Sequence, residues 1–197
     1  MERTMRQRQD ENQIYEIAMR QFANYGYKKA TLEDIASELN MTGASLYSYA
    51  KSKQELYYGC VTYGLKKWQS HVIESLEGIE DPKEYFITLC NSSIAYLKQD
   101  ETFRTILKRD SAIFPLFPEF DPYEDINKAS FFMLKEALDK GVSAGIFAEF
   151  DTLKCTEILF SVYKTLIIET YIKEEAPEVL DTFPALLNVL MNGILKR

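Results

Sequence analysis

Apolar residues recur at intervals of three and four along nearly the whole chain, the spacing that gives an α-helix one buried face. Ile14, Ile17, Ala18 and Phe22 follow this spacing in the first such segment, and no segment of useful length alternates as a β-strand does. Gly26 is suited to end this helix because a residue without Cβ adopts a positive φ without strain. The sequence therefore predicts an all-α fold.

Capping residues indicate where the predicted helices begin. Thr31 and Ser52 can each accept a hydrogen bond from a first-turn amide, and a glutamate three residues after Ser52 completes a capping box. Asp81 and Asp121 each precede a proline, with a glutamate three residues after the aspartate, and Asp151 is a further N-cap candidate. These signals and the apolar spacing place helices at residues 32–39, 43–49, 52–77, 82–99, 101–109, 122–142, 152–174 and 178–195.

The composition is that of a globular protein, with 46% hydrophobic and 27% charged residues. No apolar run approaches the roughly 18 residues of a membrane span, and the polar N-terminus has no signal-peptide core. The three cysteines are far apart and form no CxxC pair, which predicts neither a disulfide framework nor a zinc site. We expect a cytoplasmic protein of one or two domains that uses no membrane, metal or cofactor.

Charge is distributed unevenly along the chain, whose net charge is −7. Residues 1–67 hold 10 Lys and Arg against 8 Asp and Glu, whereas residues 68–197 hold 13 against 22. The N-terminal third is therefore mildly basic and the remainder is acidic. This asymmetry permits a phosphate-binding surface near the N-terminus without requiring one.

One stretch interrupts the helical pattern. Residues 111–123 contain three prolines, which preclude a continuous helix. Aromatic rings recur there at every third position, at Phe114, Phe117, Phe120 and Tyr123. Two interpretations stay open for this stretch: a loop held on the core by its rings, or a pocket wall or mobile lid.

The two short helices at residues 32–39 and 43–49, joined by a tight turn, suggest a helix-turn-helix. Ala36 is small enough to admit the second helix closely beside Ile35. Asn40 stands where the turn needs a left-handed residue, a conformation that Asn tolerates better than most. Met41 and Leu46 then fill the angle between the helices.

The exposed side of the second short helix carries small or polar residues, which can approach base edges in a major groove. This predicted recognition face consists of Thr42, Gly43, Ser45 and Ser48. Tyr47 and Tyr49 flank it with hydroxyl groups, and Lys53 adds a cation just beyond it, suited to phosphate contacts. A helical hairpin without DNA-binding function could show several of these features, so residue spacing alone leaves both interpretations open.

The stretch from Ile14 to Leu56 resembles the DNA-binding region of TetR-type (tetracycline-repressor-like) regulators. Their first helix ends in a glycine-aromatic pair, here Gly26-Tyr27, and a Thr and an Ile-Ala pair follow, here Thr31 and Ile35-Ala36. The most specific matching segment reads Thr42-Gly-Ala-Ser-Leu46-Tyr47-Ser48-Tyr49-Ala50-Lys51-Ser52-Lys53-Gln-Glu-Leu56. The rest of the chain matches the family in helix number and overall length.

The resemblance implies a three-helix helix-turn-helix DNA-binding domain at residues 1–51 and a helical ligand-binding and dimerisation domain at residues 52–197. It implies backbone contacts from Thr31, Tyr47, Tyr49 and Lys53, and a recognition face of Thr42, Gly43, Ser45 and Ser48. Three residues depart from the family pattern. Asn40 replaces a usual glycine, Gly43 a frequent basic residue, and Ala50 a usual phenylalanine.

The function implied is that of a ligand-responsive, sequence-specific regulator of transcription. In this interpretation a homodimer binds double-stranded DNA at a palindromic operator as a repressor, and a small-molecule effector releases it. Two alternatives remain: a helical dimeric interaction protein that has lost operator binding, or a helical enzyme that uses an aromatic pocket. Since His71 is the only histidine and no catalytic arrangement is evident, we expect no enzyme activity.

The C-terminal part supplies candidates for the effector pocket and for the dimer interface. Pocket candidates are aromatic residues, which could equally form plain core: Trp68, His71, Phe86, Tyr96, Phe103, Phe132 and Tyr163. The apolar arcs of the last two predicted helices are wider than a one-sided helix requires, which favours a partner on the outer side. The interface candidates are Phe160, Ile167, Leu187, Leu190 and Ile194, and a single thick monomeric core is the alternative.

Overall fold

α-Helices form nearly all the regular structure of this protein. A computed structural model describes residues 2–110, 113, 121–172 and 179–195. In chain order its helices are α1 (Glu2–Lys29), α2 (Leu32–Glu38), α3 (Gly43–Leu46), α4 (Lys53–Ser75), α5 (Pro82–Gln99), α6 (Glu101–Arg109), α7 (Glu124–Ser143), α8 (Thr152–Ile167) and α9 (Val179–Ile194). The β-type pairing in this part of the chain is a single isolated bridge between Phe147 and Leu195. The prediction of an all-α fold is confirmed.

Most helix starts follow the predicted capping chemistry. Glu55 completes the capping box by accepting a hydrogen bond at 2.7 Å from the amide of Lys51, one residue before the N-cap. Gly26 bends α1 near its end with φ 78°, as its predicted role required. A side-chain oxygen accepts from the amide three residues later, at 2.8–3.1 Å, in the predicted N-caps Thr31, Ser52, Asp81 and Asp151.

The predicted start of α7 at Asp121 is wrong. Asp121 Oδ1 accepts from the Tyr123 amide at 2.8 Å, which closes a turn before the helix instead of capping it. Its Oδ2 accepts from Asn127 Nδ2 at 2.6 Å, and α7 begins only at Glu124. Tyr123 is buried, whereas the other three rings predicted for this stretch lie outside the described residues.

The helix predicted at residues 152–174 changes its geometry before it ends. Regular α8 stops at Ile167, and a wider π-helical turn follows at Ile168–Ile172. Tyr171 in this turn is buried, and its hydroxyl donates to the Ile94 carbonyl at 3.0 Å. The turn therefore fixes the end of α8 against α5.

The hydrophobic core runs without a break from the N-terminal helices into the rest of the molecule. α1 packs on α4 and α6, α4 on α5, and α7 on both α5 and α8. Phe22 of α1 and Phe103 of α6 are fully buried, and a Cβ at Gly64 of α4 would lie 2.5 Å from the Phe103 ring. Within the described residues, no helix is long and apolar enough to cross a membrane.

Candidate DNA-binding surface and internal cavity

The turn between α2 and α3 is closed by backbone hydrogen bonds. Asn40 has φ 54°, as predicted for the left-handed position. Its amide donates to the Ser37 carbonyl at 3.0 Å, and the Met41 amide donates to the Ala36 carbonyl at 2.8 Å, which together form a Schellman motif. Leu46 is fully buried below this turn. The two short helices are thus held at a fixed angle, as a helix-turn-helix requires.

The predicted recognition face lies on the outside of α3 and the turns after it. Thr42 caps α3 by accepting from the Ser45 amide at 3.1 Å. Thr42, Ser45 and Ser48 are exposed, and Gly43 is half-buried. Regular α-helix ends at Leu46, earlier than predicted, and tighter turns continue through the following residues. The result is a short surface of small residues flanked by the half-exposed Tyr47 ring.

The hydroxyl groups of this face bond to one another or to the local backbone. Thr42 Oγ1 and Ser45 Oγ lie 2.8 Å apart, and Ser48 Oγ donates to the Ser45 carbonyl at 2.6 Å. All three hydroxyls face solvent, where water or a base edge can replace a local partner. The local hydrogen bonds therefore orient the three hydroxyl groups, and each hydroxyl can still exchange its partner.

The flanking residues differ in how accessible they are. The Tyr47 side chain is 50% exposed, and its hydroxyl can reach a phosphate beside the recognition face. Thr31 is exposed, and its hydroxyl donates to Asp34 at 2.6 Å while it caps α2. Tyr49 is half-buried and packs against the core. Of these three, Thr31 and Tyr47 fit the predicted backbone contacts most directly.

Lys53 has structural partners within the chain. Its Nζ donates to the carbonyls of Ala30 at 3.1 Å and Lys28 at 3.4 Å, and lies 4.8 Å from the centroid of the Tyr27 ring. The ammonium group therefore joins the first turn of α4 to the segment before α2. Lys28 and Lys29 are exposed in the last turn of α1 and provide nearby cationic charge.

An internal cavity of about 100 Å³ lies among α4, α5, α7, α8 and α9. Most of its wall is apolar and includes Leu65, Trp68, Leu89, Met133, Leu159 and Leu187. Its volume is below the roughly 300–1,000 Å³ of common ligand sites. A small ligand fits this cavity as it stands, and a larger one requires the surrounding helices to separate.

Side chains of α4 join the cavity wall across to neighbouring helices. Trp68 Nε1 donates to the Ser93 carbonyl of α5 at 2.9 Å. Gln69 Nε2 donates to the Ile126 carbonyl and to Ser130 Oγ of α7, both at 2.7 Å. A change in the cavity can thus alter the position of α4 relative to α5 and α7.

The ionisable groups of the cavity wall are held in their neutral forms. Desolvation within the helix bundle raises the pKa of the Cys90 thiol to about 12. Desolvation also raises the pKa of the Tyr163 hydroxyl far above its ordinary value, with a smaller contribution from Cys90. Both groups stay protonated near pH 7. Among the described residues, the wall therefore presents no charge.

Two of the seven predicted pocket residues, Trp68 and Tyr163, line this cavity. Phe86 and Phe103 are fully buried core rings, and Phe132 is 54% exposed at the surface. The other two do not line the cavity: the Tyr96 ring stacks on Trp68 with centroids 5.8 Å apart, and the His71 ring is tilted against Tyr96 with centroids 5.2 Å apart. Aromatic character alone does not distinguish a cavity wall from the core.

Within one subunit the predicted interface residues contact the core or the cavity. Phe160, Leu187 and Leu190 line the cavity, and Ile167 is fully buried. Ile194 is half-buried and packs against the core. Phe160, Leu190 and Ile194 are half-buried and keep surface that a partner could cover, so their place in a dimer interface stays a prediction.

Sequence reasoning missed the polar residues of the cavity, chiefly Gln69 and Ser130. A signal for Gln69 was present in the sequence. It stands beside Leu65, Trp68 and Val72 on the apolar stripe of α4, where a polar residue needs a buried partner. Ser130 had no comparable signal, because its role depends on how α7 packs against α4.

The N-terminal part of the chain matches a described family. Residues 14–58 match the profile of bacterial regulatory proteins of the tetR family. The chain is 21% identical to the uncharacterised HTH-type transcriptional regulator YhgD of Bacillus subtilis, over 89% of this chain and 91% of that protein. It is 26% identical to the HTH-type transcriptional repressor KstR2 of Mycolicibacterium smegmatis, over 69% and 66% of the two chains.

Solved structures share the overall fold. A TetR transcription regulator from Haloarcula marismortui superimposes with a TM-score of 0.78 at 18% identity, covering 95% of this chain and 99% of that one. FadR from Bacillus subtilis, solved in complex with stearoyl-CoA, gives a TM-score of 0.73 at 16% identity, covering 92% and 98%. At these identities the likeness concerns the fold.

Proposed function

We propose that the chain, whose residues 14–58 match the profile of tetR-family regulators, is a DNA-binding, ligand-responsive repressor of transcription. In this proposal a homodimer binds a palindromic operator and leaves it when a small-molecule effector occupies the cavity. Residues 1–51 form the DNA-binding domain and residues 52–197 the effector-binding and dimerisation domain. The name of the KstR2 repressor and the stearoyl-CoA complex of FadR support repression and ligand binding respectively.

The observation that carries the proposal is the path of α4. This helix begins at Lys53, directly after the recognition segment, and Trp68 and Gln69 of the same helix line the cavity. At 1.5 Å per residue the distance from Lys53 to Trp68 along the helix is about 22 Å. An effector that shifts α4 therefore shifts the recognition segment, provided that it binds the two arrangements with different affinity.

Contacts with DNA divide into two groups in this proposal. Thr31, Tyr47, Tyr49 and Lys53 bind phosphates and position the protein, whereas the recognition face of Thr42, Gly43, Ser45 and Ser48 meets base edges. Phosphate contacts carry little sequence information, and their loss weakens binding to all duplexes alike. Loss of a base contact changes the preferred sequence instead.

The homodimer is proposed to use the solvent-exposed stripe of α8 and α9. On α8 this stripe includes Ile158, Ser161 and Thr165, and on α9 it includes Val189 and Asn192. Ile158 and Val189 are 65% and 70% exposed, more than expected for branched apolar residues without a partner. A twofold dimer in which these stripes meet would set two recognition segments for one palindrome.

Dimer formation is tested by sedimentation of the double variant I158K/V189K. The proposal expects the wild-type protein to sediment as a dimer and the variant as a folded monomer, because two buried lysines per subunit would be unpaired. Ile73→Lys is the matched control, since Ile73 is 50% exposed on α4, away from the stripe. A double variant that stays dimeric would place the interface elsewhere.

A selection of random DNA duplexes by ligand-free protein tests the function itself. The proposal expects an enriched palindrome whose half-sites lie about 34–36 Å apart, or a multiple of that distance. Tyr47→Phe should weaken binding to every duplex, and Ser45→Ala should change the enriched sequence. A folded dimer that enriches no sequence would favour the alternative of a helical interaction protein without an operator.

A further inference from the structure

The chemistry of the cavity restricts what it can hold. Among the described residues, no lining side chain is charged, and the two ionisable ones, Cys90 and Tyr163, stay protonated near pH 7. A charged ligand group buried there would lose its hydration without gaining a partner of opposite charge. Binding of a carboxylate or an ammonium group is therefore strongly disfavoured, whereas an apolar body gains from displacing water.

The side-chain amides of the wall gather where α4 faces α7, whereas Ser93 and the Tyr163 hydroxyl add polar atoms on α5 and α8. Gln69 lies there on α4, and Asn127 and Ser130 lie there on α7. Asn127 Nδ2 is already bonded to Asp121 at 2.6 Å, which leaves the Gln69 amide as the polar group joining the two helices. A ligand that enters this cavity meets the Gln69 amide where α4 faces α7 and a wall that is apolar over most of its remaining area.

The Gln69 amide can exchange partners at little cost. Its Nε2 has two donor hydrogens, which serve the Ile126 carbonyl and Ser130 Oγ. A ligand acceptor can replace Ser130 while the bond to Ile126 stays, and the Ser130 hydroxyl can rotate to another acceptor. Such an exchange loosens α4 from α7 only when the ligand carries the acceptor.

We propose that the cavity binds an uncharged, largely apolar ligand with a single hydrogen-bonding end, and that Gln69 recognises this end by giving up a bond to α7. The identification of this ligand as the effector rests on the proposed function. The recognition of its chemistry by Gln69 does not, because it can be measured without DNA.

Ligand preference is tested with four probes of one size: toluene, benzyl alcohol, benzoate and benzylammonium. An apolar protein cavity of about 150 Å³ accepts benzene, so single-ring probes need only a modest separation of the helices around the present cavity of about 100 Å³. Trp68 is the only tryptophan of the chain and lines the cavity, so its fluorescence reports binding directly. We expect benzyl alcohol to bind about 3- to 10-fold more tightly than toluene, as one hydrogen bond allows. Both charged probes should bind at least about 100-fold more weakly than toluene.

Two variants assign the preference to Gln69. Gln69→Leu should bind benzyl alcohol and toluene equally, whereas Ser130→Ala should increase the preference for the alcohol, because it frees a donor hydrogen of Gln69. Gln99→Leu is the matched control, since Gln99 is exposed at the end of α5 and should leave the preference unchanged. The two variants should change the preference for benzyl alcohol in opposite directions. Either one that folds therefore tests the role of Gln69 by itself.

The outcomes separate the two proposals. Charged probes that bind as tightly as toluene, or a Gln69→Leu variant that keeps the preference for the alcohol, would overturn the present inference. The palindrome selected by the wild-type protein then serves as the DNA probe. Benzyl alcohol should lower DNA affinity of the wild-type protein and leave that of Gln69→Leu unchanged. Correct fluorescence preferences with no DNA binding at all would overturn the repressor function and leave the cavity chemistry standing.

Discussion

The helix-turn-helix segment, residues 31–52, and the cavity of the helical body are built from contacts of different range. In the segment, Asn40 and the residue after it close the turn by bonding to carbonyls three and five residues earlier. In the body, Trp68 bonds to a carbonyl 25 residues away, and Gln69 bonds to groups 57 and 61 residues away. The segment thus keeps its own shape, whereas the cavity changes shape whenever the helices around it move.

This difference suits the proposed regulator, in which one surface binds DNA and a separate cavity binds an effector. A surface that meets base edges must be preorganised, and short-range caps provide that rigidity. A site that signals must have more than one arrangement, and long-range contacts between helices allow a small displacement to be carried along α4. Variants that remove each kind of contact should therefore affect different measurements.

The largest expected effects come from truncating a buried leucine in the helix-turn-helix segment or in the helical body, and only the first should abolish DNA binding. Leu46→Ala and Leu138→Ala each remove a fully buried side chain, the first from α3 and the second from α7. Each should lower the free energy of unfolding by about 2–5 kcal/mol in a denaturant titration. Only Leu46→Ala should also abolish DNA binding of the folded protein, because the recognition face rests on Leu46. Equal loss of DNA binding in both variants would contradict the separation.

The next effect tests the tight packing of the body. A Cβ at Gly141 would overlap the buried ring of Phe147. Gly141→Ala should therefore destabilise the protein by about 1–3 kcal/mol, as other overpacked cores do. Thermal unfolding measures this change, and Gly193→Ala is the control.

Gly193 lies in α9, and among the described residues no atom outside its chain neighbours and its own helix backbone lies within 4 Å of the added Cβ. Gly193 follows Val189 by one turn on the stripe proposed for the dimer, so the control is made in the monomeric I158K/V189K background. There the substitution should stabilise the protein by up to about 1 kcal/mol through the higher helix propensity of alanine. Destabilisation in that background would contradict the open surroundings of Gly193.

The same difference in range explains what the sequence could predict. The roles of Thr31 and Asn40 depend on neighbours within a few residues, so local chemistry was sufficient to predict them. Asp81 and Asp121 begin similar motifs, yet only Asp81 caps a helix, because the Asp121 carboxylate bonds to Asn127. A tertiary contact of this kind has no trace in the motif itself.

Pocket and interface residues were harder to predict for a related reason. Phe160 has the apolar character expected of either a dimer interface or a cavity wall, and only the packing of α8 decides between them. Phe103 and Trp68 are likewise both large aromatic residues, but one is core and the other lines the cavity. Periodicity predicts that a residue is buried, and it does not predict what the residue is buried against.

A smaller effect tests the short-range contacts of the turn. Asn40 has a left-handed backbone, which costs residues with a Cβ roughly 1–2 kcal/mol unless a short polar side chain compensates. Asn40→Ala should therefore lower the free energy of unfolding by about 1 kcal/mol. Asn40→Gly should leave it nearly unchanged, and denaturant titrations of the two variants give the comparison. A destabilised Asn40→Gly variant would show that the asparagine side chain itself is needed.

The smallest effect concerns a short-range contact within the body. Asp139 of α7 accepts hydrogen bonds from Lys135 Nζ and from Thr152 Oγ1 of α8, both at 2.6 Å. The bond from Lys135 is the main cause that lowers the Asp139 pKa below its usual value, followed by the bond from Thr152. The Lys135 bond lies within α7, and the Thr152 bond joins the end of α7 to the start of α8.

Because the folded-state pKa of Asp139 is lowered, its contribution to stability is present above the unfolded-state pKa of about 4 and is lost as the pH falls through the lower folded value. Asp139→Asn should cost less than about 1 kcal/mol at pH 7, since the carboxylate is partly exposed. The difference from wild type should narrow below about pH 4. Urea titrations at pH 7 and pH 3 measure it, with the exposed Glu136→Gln as control. If the free energies of unfolding of Asp139→Asn and wild type differ by the same amount at pH 3 as at pH 7, Asp139 stabilises the protein through its packing and not through its charge. The short-range contacts of the body would then depend on packing, as its long-range contacts do.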